Sequence, residues 1–132
     1  MDITVMQEQG RVPVTILQVE GKTDSTSAGE LEKKIMELIE AGARFLVLDL
    51  KKVPYMSSAG LRVLQEVFSK LRSLSAGESD KEMYRQIADG SFQSPHLKLL
   101  NPSKEVLEVL KMSGFDMLVP IEKDLKTAVE SF

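Results

Sequence analysis

The sequence predicts an α/β domain, a mixed sheet of about four or five strands covered by about four helices. Three observations carry that prediction. Phe45-Leu46-Val47-Leu48 is a wholly apolar run that continues through Asp49 to Leu50. A short unbroken apolar run reads as a strand buried on both faces, which requires a sheet covered by helices. Leu61, Leu64, Phe68 and Leu71 follow it at helical spacing, and Ala28, Leu31, Ile35, Leu38 and Ile39 precede it at the same spacing. Each set forms one apolar stripe on an amphipathic helix. The chain has 132 residues, so residues 1–132 read as a single domain.

The elements follow in order. Ile3 and Val5 alternate with Asp2, Thr4 and Met6, a weak strand pattern suited to a sheet edge. Glu8-Gln9-Gly10-Arg11 reads as a turn. Val12, Val14 and Ile16, then Leu17 and Val19, form a second strand hairpinned to the first. Pro13 has no amide hydrogen, so it belongs at that strand's start or on an unpaired edge. Glu20 to Ser27 is a loop rich in capping residues, and Gly42 is the terminator of the helix that follows. The strand Phe45–Leu50 and a helix running to about Leu74 flank the stretch Val53-Pro54-Tyr55-Met56-Ser57-Ser58-Ala59-Gly60.

Residues 75–95 turn polar and read as an inserted or mobile loop before the fourth strand. Within it, Ser79 or Asp80 is positioned to cap a helix of one or two turns, with Met83 and Ile87 packing at i, i+4. His96 to Leu100 is a strand, stopped by Asn101-Pro102-Ser103. Ser103 opens a short helix through Val106, Leu107, Val109 and Leu110 that ends at Ser113-Gly114-Phe115. Met117-Leu118-Val119 reads as a last short strand, and Glu122 to Phe132 as a terminal helix.

The serines sit where a strand gives way to a helix, with Ser57 or Ser58 in the cap position. Unpaired amides point outward there, and the helix dipole tolerates a negative charge. By itself such a serine is a cap. The full string "LDLKKVPYMSSAGLRVL" adds more, because it resembles the signature of the STAS domain of bacterial anti-sigma-factor antagonists. In that family a strand leads to an Asp, then a Ser, a small residue, Gly and Leu, and this Ser is the phosphorylation site. The resemblance implies a STAS-like fold, places the phosphoacceptor at Ser58, and covers nearly all of the chain outside 75–95. It departs in one respect: Ser57 stands where the family has Asp, which makes Ser57 the alternative acceptor. The family's neighbouring loop also matches at Gly21 and Asp24 but not at Lys22 and Thr23.

The resemblance implies a partner-switching protein. Unphosphorylated, it binds an anti-sigma factor that is also a serine kinase; phosphorylation releases it, and a metal-dependent serine phosphatase resets it. Asp24, Met56, Ser57, Ser58 and Arg62 are the expected partner-binding residues. Each has a plainer alternative: Asp24 as a turn or cap, Met56 or Tyr55 as core, Arg62 as a solvated helix face. A non-switching docking subunit of a membrane transporter or stress-signalling assembly is the other reading that STAS domains offer.

Composition narrows the field further. Hydrophobic residues make up 42% and charged residues 28%, as in a folded domain. The net charge of −3 and the lack of a basic block argue against direct nucleic-acid binding. There is no cysteine and one histidine, His96, so thiol chemistry and a multi-histidine metal site are excluded. No Gly-rich nucleotide loop is present, and no cofactor is expected. A nucleophilic serine needs a positioned base, and only His96 is available, so no enzymatic activity is expected. No signal peptide and no span of about 20 apolar residues is visible, which makes the cytoplasm the expected location.

Overall fold

The structure is a computed structural model and describes residues 1–75 and 80–132. Five strands form one sheet in the order β1-β2-β3-β4-β5. β1 (Asp2–Gln9) and β2 (Pro13–Glu20) make an antiparallel hairpin, with Pro13 at the first position of its strand. A missing amide costs least at a strand end, as expected from sequence. β2, β3 (Leu46–Lys52), β4 (Leu97–Leu100) and β5 (Ile121–Glu122) run parallel, each joined to the next by a helical crossover.

Both faces of the sheet are covered. Leu17 and Val19 of β2 and Leu46, Leu48 and Leu50 of β3 pack on one face. They meet Leu31, Ile35 and Ile39 of α1 (Ser27–Glu40), Val63, Leu64, Val67 and Leu71 of α2 (Ser58–Ser73), and Val106 and Leu110 of α4 (Lys104–Ser113). On the other face Val14, Ile16, Val47 and Leu100 meet Ala128 and Val129 of α5 (Leu125–Glu130). This two-sided burial explains why β3 reads as continuously apolar. Of the predicted α2 stripe, Leu64 and Leu71 are fully buried, while Leu61 and Phe68 are half-buried at its margin.

Three expectations need correction. The helix expected within 75–95 is longer than one or two turns, because Asp80–Asp89 forms a helix, α3, of nearly three turns. Asp80 and Glu82 lie at its amino end, where the dipole favours them, so a polar composition did not exclude a helix. Ser79, the other proposed cap, lies outside the described residues. The return from α3 is anchored: Phe92 is buried edge-on against Phe68, at 6.1 Å, and the Ser94 amide donates to the Leu118 carbonyl (2.9 Å).

The predicted strand Met117-Leu118-Val119 is replaced by a 3-10 turn, Phe115–Met117, and pairing starts later, at Ile121. The Phe115 carbonyl accepts from the amides of Leu118 and Val119, which lets Phe115 and Val119 both enter the core. Finally, the last helix starts after Asp124 rather than at Glu122, because the Asp124 carboxylate accepts from the Thr127 amide (2.9 Å) and caps it.

Candidate functional site

The two serines sit at the carboxyl end of β3, where α2 begins. Ser57 is extended (φ −80°, ψ 173°) and is the N-cap; its hydroxyl accepts from the Gly60 amide at 3.3 Å. Ser58 is the first helical residue. Ser57 is half-buried and Ser58 is exposed. Among the described residues, the Ser58 hydroxyl has no hydrogen-bond partner within the chain. The sequence left the cap open between the two serines, and the structure assigns it to Ser57.

Thr23, in the loop between β2 and α1, holds the turn in place. It is fully buried and forms a parallel bridge with Met56. Its amide and its hydroxyl both donate to the Tyr55 carbonyl, at 3.0 and 3.2 Å. Its own carbonyl accepts from the Ser57 amide at 2.8 Å. Gly60 packs against this bridge. A Cβ on Gly60 would lie 2.7 Å from Thr23 Oγ1 and 2.9 Å from Met56 Cγ, so the position has room only for glycine. Sequence reasoning misses Thr23, which reads only as a mismatch to the family loop. Its place directly before Asp24, in a loop that the family shares, was the available signal.

Asp24 follows directly and is exposed. Its Oδ1 accepts from the amides of Thr26 and Ser27, both at 3.0 Å, which organises the start of α1. The backbone hydrogen bond from Ser27 is the main cause holding its carboxyl below the usual range, followed by the Ser27 hydroxyl. The turn role weighed for Asp24 is therefore present, and the bridge at Thr23 brings this carboxylate to the loop beside the serines.

Met56 does not stand at the surface. It is 2% exposed and belongs to the core, packed over Gly60. An apolar side chain at a bridged position points inward with its neighbours, and of the two residues weighed it is Tyr55 that remains exposed. Arg62, one turn along α2 from Ser58, is exposed and forms no ion pair among the described residues. It lines an open groove between α1 and α2 with Met36, Gln65, Glu66, Ser69 and Lys70. On the same seam a hydrogen bond shared with Glu66, then slight burial and repulsion, holds the Glu32 carboxyl above its ordinary range.

His96 lies elsewhere. Its carbonyl accepts from the Leu46 amide at the amino end of β3, whereas Ser58 follows the carboxyl end. The length of β3, about 20 Å at the usual rise per residue, separates the two ends. The His96 ring contacts the Ser75 hydroxyl, and its Nδ1 lies 3.2 Å from the Arg44 carbonyl. No Ser58–His96 pair is formed. Among the described residues no cluster of His, Cys, Asp and Glu could hold a metal ion, and no helix is long and apolar enough to cross a membrane.

Comparison with known proteins agrees with this geometry. The STAS domain family model matches residues 4–77. BtrV of Bordetella bronchiseptica, which carries a putative anti-sigma factor antagonist name, is 31% identical over 114 residues, covering 86% of this chain and 82% of BtrV. An anti-sigma factor antagonist structure from Mycobacterium paratuberculosis superposes with a TM-score of 0.70 at 21% identity, over 97% of this chain and 92% of that one. The Bacillus cell fate determinant SpoIIAA in its phosphorylated form superposes with a TM-score of 0.62 at 16% identity, over 96% of each chain. Fold and serine turn together define a small α/β regulatory domain. The chain belongs to the STAS domain family, among the anti-sigma factor antagonists.

Proposed function

We propose that this protein is a partner-switching antagonist that works in the cytoplasm. Unphosphorylated, it binds an anti-sigma factor with serine kinase activity. Phosphorylation of Ser58 releases it, and a metal-dependent serine phosphatase resets it. The observation that carries this reading is the exposed hydroxyl of Ser58 on the first turn of α2, without a hydrogen-bond partner among the described residues. A phosphate there adds about −1.5 to −2 charges at neutral pH. The amino end of a helix accommodates that charge, so the domain keeps its fold. Within a closely packed interface the same charge brings desolvation cost and like-charge repulsion, and a change of about 1.4 kcal/mol already shifts affinity tenfold. Asp24 and Arg62 flank the serine and complete the proposed contact surface. Met56, being buried, is left out of it. The phosphorylated form of SpoIIAA supports the idea that this fold carries such a modification.

Phosphopeptide mapping of the protein isolated from the cells that make it tests the reading, with Ser58→Ala and Ser57→Ala as controls. The expected result is phosphate on Ser58 that disappears only in Ser58→Ala. Absence of phosphate from both serines under every growth condition would overturn the switch and leave a constitutive docking domain.

A further inference from the structure

Ser57 and Ser58 are adjacent and chemically alike, so the identity of the acceptor must be set by conformation. Their environments differ in two ways. The Ser57 hydroxyl is occupied by the Gly60 amide, while that of Ser58 is free among the described residues. The Ser57 backbone is extended, while that of Ser58 is helical. Both differences follow from where α2 starts. If the helix began one residue later, Ser58 would become the cap and Ser57 the free hydroxyl.

The start of α2 is set by the loop before α1. Thr23 pairs with Met56 in strand fashion, and the pairing reaches one residue further, to the Ser57 amide bound by the Thr23 carbonyl. A residue tied into such a bridge is extended and cannot be helical, so the first helical position falls on Ser58. The second contact of Thr23 is specific to its side chain: its hydroxyl adds a donor to the Tyr55 carbonyl that its own amide already reaches. The third is steric, since Gly60 brings the first turn of α2 against Thr23 with no room for a Cβ.

From this geometry we infer that Thr23 is a positioning residue that selects Ser58 over Ser57 as the phosphoacceptor. The inference rests on the switch proposed above and specifies how its site is chosen. Thr23 does not touch the transferred phosphate. It acts through the backbone of Tyr55, Met56 and Ser57.

The test is the ratio of phosphate on Ser58 to phosphate on Ser57, assigned from fragment ions in protein isolated from the cells that make it. Thr23→Val keeps the branched shape and removes the hydroxyl donor; the ratio is expected to fall about fivefold, the factor governed by one ordinary hydrogen bond. Thr23→Ser keeps the donor and should restore the original ratio, which a purely space-filling role would not do. Gly60→Ala forces the turn away from Thr23, and the ratio should fall more than tenfold. Circular dichroism confirms that each variant is folded; should Gly60→Ala not fold, Thr23→Val and Thr23→Ser decide alone. A wild-type protein phosphorylated on Ser58, with the ratio unmoved in the folded variants, overturns this inference and leaves the switch standing. A wild-type protein without phosphate on either serine overturns the switch, and the inference with it.

Discussion

The serine turn and helix α3 are two polar-looking stretches of one chain with opposite construction. The turn is short and lies between buried elements. Thr23, Val53, Met56 and Gly60 are all buried there, and hydrogen bonds tie it to a loop more than 30 residues earlier in sequence. Helix α3 is longer and buries no residue. Among the described residues, Arg85 and Gln86 donate to Glu82 within the helix, and Arg72 of α2 donates to Asp80 (2.5 Å). The contrast shows that a hydroxyl can be exposed although the backbone beneath it is tied into the core. Ser58 is presented to solvent on a base of buried residues and hydrogen bonds, which suits the proposed switch, where affinity would depend on one added group rather than on the ordering of a loop.

Removing Met56 should give the largest effect. Met56→Ala deletes a fully buried side chain that also packs over Gly60. Large-to-small changes of this kind cost about 2–5 kcal/mol. Chemical denaturation should show a loss in that range, with an unchanged dependence on denaturant. A loss below about 0.5 kcal/mol would return Met56 to the surface role first expected from the sequence, and would undo the contrast between the two regions.

The same substitution on α3 should do little. Tyr84 is 65% exposed and belongs to no core cluster. Surface changes away from caps and buried networks usually stay within about 0.5 kcal/mol, so Tyr84→Ala should leave the thermal midpoint nearly where it was. A loss of more than about 1 kcal/mol would mean that α3 is part of the folding unit in the way the serine turn is.

How much of this is legible in the sequence depends on whether a residue's role is local. β3, α1 and α2 are readable because burial repeats along each of them: Leu46, Leu48 and Leu50 on one face of the strand, and Leu31, Ile35 and Ile39 along the helix. Ser57 and Ser58 are readable as a strand-to-helix turn, but only to within one residue. The deciding contact comes from Thr23, and no local pattern joins Thr23 to Met56. Helix α3 reads as no more than one or two turns because its apolar residues, Met83, Tyr84 and Ile87, are few and none is buried. The last strand is displaced for a related reason. Phe115 and Val119 reach the core from a 3-10 turn, whose three-residue period is too short to register beside strand alternation.

The smallest effect lies on the seam between α1 and α2 that runs down from the serine turn. The carboxyls of Glu32 and Glu66 share a hydrogen bond there, which raises Glu32 above its ordinary value of 4.5. The sign follows from linkage. A carboxyl whose folded value is raised gives its full stability below the unfolded value, and that stability is lost as pH rises through the folded value. Glu32 therefore weakens the fold slightly at neutral pH. Glu32→Gln keeps a donor for Glu66 and removes the titration, so it should stabilise the domain at pH 7.5. Solvent screens this exposed pair, which limits the gain to a few tenths of a kcal/mol, roughly. At about pH 4, below the ordinary glutamate value, the wild-type carboxyl is largely protonated, and the gain should nearly vanish. Paired thermal melts at the two pH values make the comparison, since acid effects from Asp24 and Asp124 are common to both proteins and cancel. An equal gain at both pH values would mean that the introduced glutamine helps through packing or helix propensity, and that the two carboxyls do not share a proton.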